Sequence, residues 1–474
     1  MGCSYQNCAR AQVDKYSNKN DGISIQIKNF ISQNIETMKL HYKAGRKIGE
    51  GKFGKVFSVT HLLTNTRRAM KIINIEKIRE VSRVNQYNQP IDNEIDILSI
   101  CDHPNIQKIY EYFNDGKFFY IILEYVKGKN IYQFISEKEY IHESIVVNIF
   151  KQIISVITYL HQNGIIYCNI NPDNIIIIND NHDIKFIGFS LSKKLQNNEM
   201  LSHNYNEDTQ YLAPEVLNES YGFPSDIYSC GVLLLRMMMG MCSSSITQYS
   251  KLEQWKSLSP NLRDLLEKML HSKQSKRIKA GEILTHPWVK LAENPLNSDN
   301  NNFKLKINTP SLSQEKLRQA TQAYIVHQLD NNKLVDKLRQ KFRLYDISGE
   351  GLISRDELKK MINNSEENFT ELEINDLMDK IDQDHSGSIS FEEFLRVMID
   401  YNTLITKENL ENAFKFFDKD KSGFLNVEEL KHIFSTNNSE EKKLEKYIEN
   451  LLLSYDKDKD GQLSLQEFIH LVTI

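Results

Sequence analysis

A chain of 474 residues has room for about three domains, each large enough to bury a core. Its formal charge of -4 excludes a globally basic nucleic-acid binder, and its apolar and charged fractions are those of ordinary soluble protein. Six cysteines without paired spacing speak against a disulfide scaffold and for a reduced, intracellular setting, and no apolar run reaches the roughly 20 residues of a spanning helix, the nearest being residues 231–241 around Arg236.

The chain opens Met1-Gly2-Cys3. Gly2 offers a myristoylation site and Cys3 a palmitoylation site, although Gln6 stands where the motif asks for Ser or Thr. Two acyl chains would hold the protein on the cytoplasmic face of a membrane; the plainer reading is a start residue followed by small ones. The rest of 1–41 is rich in Asn, Lys and Ser and reads as a mostly disordered extension.

From Tyr42 the pattern turns to strands. Ile48-Gly49-Glu50-Gly51-Lys52-Phe53-Gly54-Lys55-Val56 is a glycine-rich hairpin whose amides can approach phosphates closely. Alone, it fits a dinucleotide site or a plain hairpin equally well. A second strand, ending Arg68-Ala69-Met70-Lys71, follows, and Glu94 lies on an amphipathic helix with Ile91, Ile95 and Leu98 inward. Glycine hairpin, strand lysine, then helix glutamate is far more specific than any one of them: Lys71 would hold nucleotide phosphates and Glu94 would hold Lys71. Further on, Asn171-Pro172-Asp173-Asn174 makes a turn. Two short apolar runs, 175–178 and 184–187, joined by polar residues 179–183, predict a β-hairpin.

Residues 42–289 therefore resemble a eukaryotic protein kinase domain, bilobal and α+β. Ala213-Pro214-Glu215, Asp226-Ile227-Tyr228-Ser229-Cys230-Gly231, Arg277 and His286-Pro287-Trp288 carry the likeness through the C-terminal lobe. The resemblance implies that Ile48, Gly49, Gly51, Gly54, Val56, Ala69, Lys71, Glu124 and Val126 bind the nucleotide. It implies too that Glu215 pairs with Arg277 and that Asp226 holds the catalytic-loop backbone.

The likeness also brings departures into view. Tyr167-Cys168-Asn169 stands where the family has His-Arg-Asp, and Gly188-Phe189-Ser190 where it has Asp-Phe-Gly. Asn169 has no basic carboxylate, and Gly188 cannot ligate magnesium. Asn171 replaces the loop lysine, and Cys168 replaces the arginine that answers a phosphorylated activation loop. Asn130 replaces an acidic residue that reads a substrate arginine, and Asp208 sits where the family has a threonine. Of the magnesium ligands only Asn174 remains, while Tyr167 and Phe189 can still stack in the internal spine.

Residues 290–336 begin as an Asn/Asp/Ser-rich linker, 297–302, and continue into a helix with Ser311 and Gln314 as a capping pair and Leu317, Ala320 and Tyr324 at helical spacing. That helix is either a packing element or a regulatory junction. In residues 337–474 a repeat sets in: Asp346, Asp382, Asp418 and Asp456 open four 12-residue loops at intervals of 36, 36 and 38 residues. Calcium needs several oxygens around a tight glycine turn and one bidentate glutamate. Loop 382–393 supplies Asp382, Asp384, Ser386, the Ser388 carbonyl and Glu393. Loop 418–429 supplies Asp418, Asp420, Ser422, the Phe424 carbonyl and Glu429, and loop 456–467 supplies Asp456, Asp458, Asp460, the Gln462 carbonyl and Glu467. Loop 346–357 offers Asp346, Ser348, Glu350 and Glu357, with a neutral third ligand and a long fifth, so it is expected to be the weakest site. These loops resemble EF-hands, and the resemblance implies an all-α calmodulin-like domain.

From Gly2 to Ile474 the chain thus resembles the calcium-dependent protein kinases of plants and alveolate protists: acylated N-terminus, kinase domain, junction, calmodulin-like domain. In that family the calcium-free module leaves the junction helix blocking the kinase, and calcium makes the hands take hold of it. The resemblance implies three or four calcium sites and unidentified protein partners or substrates, with no nucleic acid. It allows ATP and leaves Mg2+ unsupported. Together with the departures it predicts a pseudokinase that binds and does not phosphorylate. The competing expectation is an active, atypical serine/threonine kinase in which Asp208 stands in as proton acceptor.

Overall fold

A computed structural model describes residues 23–31, 33–34, 37–51, 54–77, 90–138, 140–195, 200–201, 209–217, 221–240, 253–291, 315–329, 333–363, 370–436 and 441–473. Their contacts divide the chain into two units: Gln33–Asn302 with Asp346–Leu352, and Met1–Ser32 with Phe303–Tyr345 and Ile353–Ile474.

The first unit carries a six-stranded sheet in the order Gln33–Asn34, Ile109–Asn114, Phe118–Glu124, Arg67–Asn74, Gly54–His61, Tyr42–Gly51. Ile121, Ile122 and Leu123 are all buried, as a continuous apolar run in an interior strand requires. The glycine hairpin lies at the edge, with Gly49 opposite Val56 and two slips of register between Ala44 and Gly49. A Cβ on Gly54 would lie 2.2 Å from the Ile72 carbonyl oxygen, so close strand packing alone demands glycine there. The lysine strand runs past Lys71 to Asn74, three residues further than the sequence pattern shows.

The helical part of this unit is built on Glu143–Gln162, which packs against Phe223–Met239. Among the described residues it alone is long and apolar enough to cross a membrane, but its apolar side chains, Val146 to Leu160, are taken up by the core. Polar residues such as Asn148, Lys151 and Gln152 interrupt its apolar run, so 231–241 is the longer-looking stretch in the sequence. The expected β-hairpin forms: Ile175–Ile177 pairs with Ile184–Phe186.

In the second unit the hands pair through short strands, Ile353–Ser354 with Ser388–Ile389 and Phe424–Leu425 with Leu463–Ser464. The helix Lys316–Gln328 is enclosed by them: Leu317, Ala320, Thr321, Gln322 and Val326, on different faces, are each 0% exposed. Its cap differs from expectation. Glu315 is the N-cap, accepting from the Arg318 amide at 2.7 Å; Ser311 and Gln314 lie outside the described residues.

Part of the extension expected to be disordered has structure. Ile23–Ser24 is a strand and Ile27–Phe30 a helical turn of the second unit, while Gln33–Asn34 pairs parallel with Ile109–Asn114 in the first. The reason is three apolar side chains in a polar stretch: Ile23, Ile25 and Phe30 join the core of the EF-hand unit. Gly2 and Cys3 lie outside the described residues.

Candidate functional site

The expected pair closes. Lys71 Nζ reaches Glu94 Oε2 at 2.6 Å and Oε1 at 2.9 Å, with Glu94 2% exposed. The helix Pro90–Ile100 holds Glu94 by burying Ile95 and Leu98; the Ile91 side chain lies outside the described residues. A third member was missed. Ser190 Oγ accepts from Lys71 Nζ at 2.6 Å and donates to Glu94 Oε2 at 3.1 Å. A hydroxyl in place of the family's small third residue was the signal, but its role depends on the turn Phe189–Leu191 aiming it at the pair.

Gly49, Gly51, Gly54, Val56 and Ala69 line the hairpin and strand beside Lys71; Ile48 is half exposed, and Lys52 and Phe53 lie outside the described residues. Glu124 ends the strand Phe118–Glu124, with Val126 just beyond it. The Glu124 carboxylate is committed to the fold: it takes Lys185 Nζ at 2.9 Å and the Lys108 amide at 3.1 Å, both groups of the ion pair being buried. Its backbone is engaged as well: the Glu124 amide donates to the Lys108 carbonyl at 2.9 Å, and its carbonyl accepts from Gln107 Nε2 at 2.8 Å.

The catalytic-loop frame is intact. Asp226 accepts from the amides of Tyr167 and Cys168, each at 2.9 Å, and meets His161 Nε2 at 2.9 Å. Those amides hold Cys168 at φ +61°, a left-handed conformation unusual for a side chain larger than glycine. Arg277 grips Glu215 with both terminal nitrogens. Tyr167 is fully buried with Phe189 5.1 Å away edge-on, and burial pushes its phenol well above the usual range.

Inside that frame, amide side chains gather around Gly188. Asn169 Nδ2 donates to the Gly188 carbonyl at 3.2 Å. Asn171 Nδ2 donates to Asn169 Oδ1 at 3.0 Å, and Asn174 Nδ2 to the Asn169 carbonyl at 3.0 Å. Asn130 Nδ2 donates to Asp173 Oδ1 at 2.7 Å and so ties down the acid beside it. Asp208 lies outside the described residues.

The calcium loops are a second cluster of function-bearing residues. Carboxylate oxygens of Asp382, Asp384 and Glu393 gather within 4.8 Å of one another, as do those of Asp418, Asp420 and Glu429, and of Asp456, Asp458 and Asp460. Gathering them has an electrostatic cost. Burial and the neighbouring Asp384 push the Asp382 carboxyl up to about 8 and hold Glu393 well above the carboxylate range. A divalent cation would relieve both causes, so the donor set fits calcium. Ser386 and Ser422 turn their hydroxyls to the Ser388 and Phe424 carbonyls at 3.0 and 3.1 Å, while Gln462 and Glu467 complete loop 456–467. In the first loop Asp346 is occupied by the amides of Gly349, Glu350 and Gly351, with Ser348 on its Oδ1, and Glu357 takes the Ser354 amide. Among the described residues no cluster of three acids forms there.

Comparison with known proteins agrees with this geometry. The protein kinase domain family matches residues 42–289, and the EF-hand domain pair matches 335–399 and 407–473. Calcium-dependent protein kinase 4 of Plasmodium berghei is 30% identical over 436 residues, covering 85% of this chain and 82% of its own. Calcium-dependent protein kinase 7 of Oryza sativa subsp. japonica is 28% identical, covering 89% of this chain and 79% of its own. Calcium-dependent protein kinase 14 of Arabidopsis thaliana is also 28% identical, with coverage of 88% and 80%.

Proposed function

Because the chain belongs to the calcium-dependent protein kinase family, we propose that it is a calcium-responsive pseudokinase, a regulator whose kinase fold binds protein partners and transfers no phosphate. The amide network of Asn169, Asn171 and Asn174 around Gly188 carries this reading. Phosphoryl transfer needs an acceptor for the substrate hydroxyl's proton and a carboxylate on the metal. Here the first position is an amide bonded to Gly188, and the second has no side chain. Magnesium does not fit such a donor set.

Nucleotide phosphates do fit. Lys71 stands ready on Glu94 and Ser190, and glycine amides flank it. Bound ATP would bring an anion for Lys71 to hold, and binding without turnover follows. In this reading calcium governs whether the helix Lys316–Gln328 is enclosed by the hands, and acylation of Gly2 and Cys3 places the protein on the cytoplasmic face of a membrane.

The test is a phosphorylation assay on the full chain with Ca2+ and Mg2+, alongside Lys71→Met. We expect the same background from both. Turnover that Lys71→Met abolishes would establish the other reading, an atypical active kinase. One observation favours that alternative: the Lys71–Glu94 pair is closed as in a working site.

A further inference from the structure

We infer that residues 23–31 form a calcium-linked strap, a built-in ligand of the EF-hand unit whose docking and calcium binding favour each other. The inference goes beyond the pseudokinase reading and holds whether or not phosphate is transferred.

The strap touches both halves of the calcium module at places tied to ion ligands. Ile25 N donates to the Gln383 carbonyl at 3.3 Å. Gln383 is the second residue of loop 382–393, and its own amide donates to Glu393 Oε1, the closing ligand, at 2.7 Å. On the other side Ile23–Ser24 pairs antiparallel with Ser435–Thr436, and Asn29 Nδ2 donates to the Ile433 carbonyl at 3.1 Å. Both contacts lie just past the helix Val427–His432, whose first turn carries Glu429, the closing ligand of loop 418–429.

The same segment fastens the enclosed helix. The Ile23 carbonyl accepts from Lys316 Nζ at 2.9 Å. The Phe30 ring meets Tyr324 edge-on at 5.9 Å, and Tyr324 stacks in turn on Phe416 at 4.6 Å, at the end of the helix that leads into loop 418–429. The seat is a built one: Ile23, Ile25 and Phe30 are 2%, 5% and 1% exposed.

The docked strap accompanies loops whose acids are already gathered as for an ion. A segment that fits this arrangement of loop and helix better than another must raise calcium affinity. By reciprocity, calcium must then tighten the strap by the same factor.

The test uses the full chain. Calcium titration of Phe30→Ala and of the milder Asn29→Ala is compared with wild type. We expect half-saturation of Phe30→Ala to need about five-fold more calcium or higher, with a smaller shift for Asn29→Ala. Hydrogen exchange of wild-type residues 23–31, in calcium and in chelator, reads the reciprocal effect without any substitution. Protection that rises with calcium supports the strap, and equal protection in both conditions overturns it. Unchanged titration of a folded Phe30→Ala overturns it as well. A wild-type chain that binds no calcium would overturn the calcium reading itself and this inference with it.

Discussion

In the proposed reading, Gly188 is a single position that removes chemistry while the frame stays. It keeps a left-handed backbone, φ +78°, and a Cβ placed on it would lie 2.9 Å from Asn174 Oδ1. An aspartate can return only if Asn174 turns aside. We expect Gly188→Asp to make nucleotide binding respond to Mg2+, where the wild type is indifferent. The crowded left-handed backbone should lower stability by about 1–2 kcal/mol. Melting shifts induced by nucleotide, with and without Mg2+, check both effects; a wild-type shift that already depends on Mg2+ would contradict the loss of the metal site. Ser190 acts in the opposite direction. Its hydroxyl bridges a lysine and a glutamate that the family's glycine would leave to each other, and hydrogen bonds to charged groups are worth about 1.5–3 kcal/mol. The pair can thus stay closed without a nucleotide to hold it.

At the scale of elements, the enclosed helix Lys316–Gln328 carries a built-in weakness. Gln322 is 0% exposed, and neither atom of its amide meets a hydrogen-bond partner among the described residues. Such a group costs about 1–3 kcal/mol where it is buried. We expect Gln322→Leu to raise the melting temperature of the calcium-loaded chain, by about 1 kcal/mol in stability, and to slow release of the helix when calcium is removed. A lower melting temperature would show that the amide is satisfied in solution. Sequence patterns reached this helix through Leu317, Ala320 and Tyr324 because helical spacing is a local signal. The calcium loops were legible for the same reason: their ligands lie within twelve residues of one another, and Asp382, Asp384 and Glu393 meet where spacing put them. The strap was not legible. Ile23, Ile25 and Phe30 look like scattered apolar residues in a polar stretch, and their partners lie far along the chain, as with Ile23 and Lys316 at a separation of 293 and Asn29 and Ile433 at 404. The N-cap Glu315 was not legible, because capping preferences point to Ser, Thr, Asp and Asn and not to Glu.

For the whole molecule, the calcium loops make a graded set. We expect titration of the full chain to find three sites at about 10⁻⁷ to 10⁻⁵ M. Glu393→Gln, Glu429→Gln and Glu467→Gln should each remove one, whereas Glu357→Gln leaves the count unchanged, because the third ligand of its loop is the neutral Ser348 and no cluster of three acids forms there among the described residues. Loss of a site with Glu357→Gln would restore the first loop to the set. The division of the chain adds a constraint of another kind. The EF-hand unit is discontinuous, made of Met1–Ser32, Phe303–Tyr345 and Ile353–Ile474, with the bulk of the kinase fold lying between the first two in sequence. On the ribosome the strap is therefore made about four hundred residues before the strand it pairs with, Ser435–Thr436. At roughly 5–20 residues per second that delay is about 20 to 80 s. For that time Ile23, Ile25 and Phe30 have no seat, and the kinase fold can complete itself before the sensor closes over its own beginning.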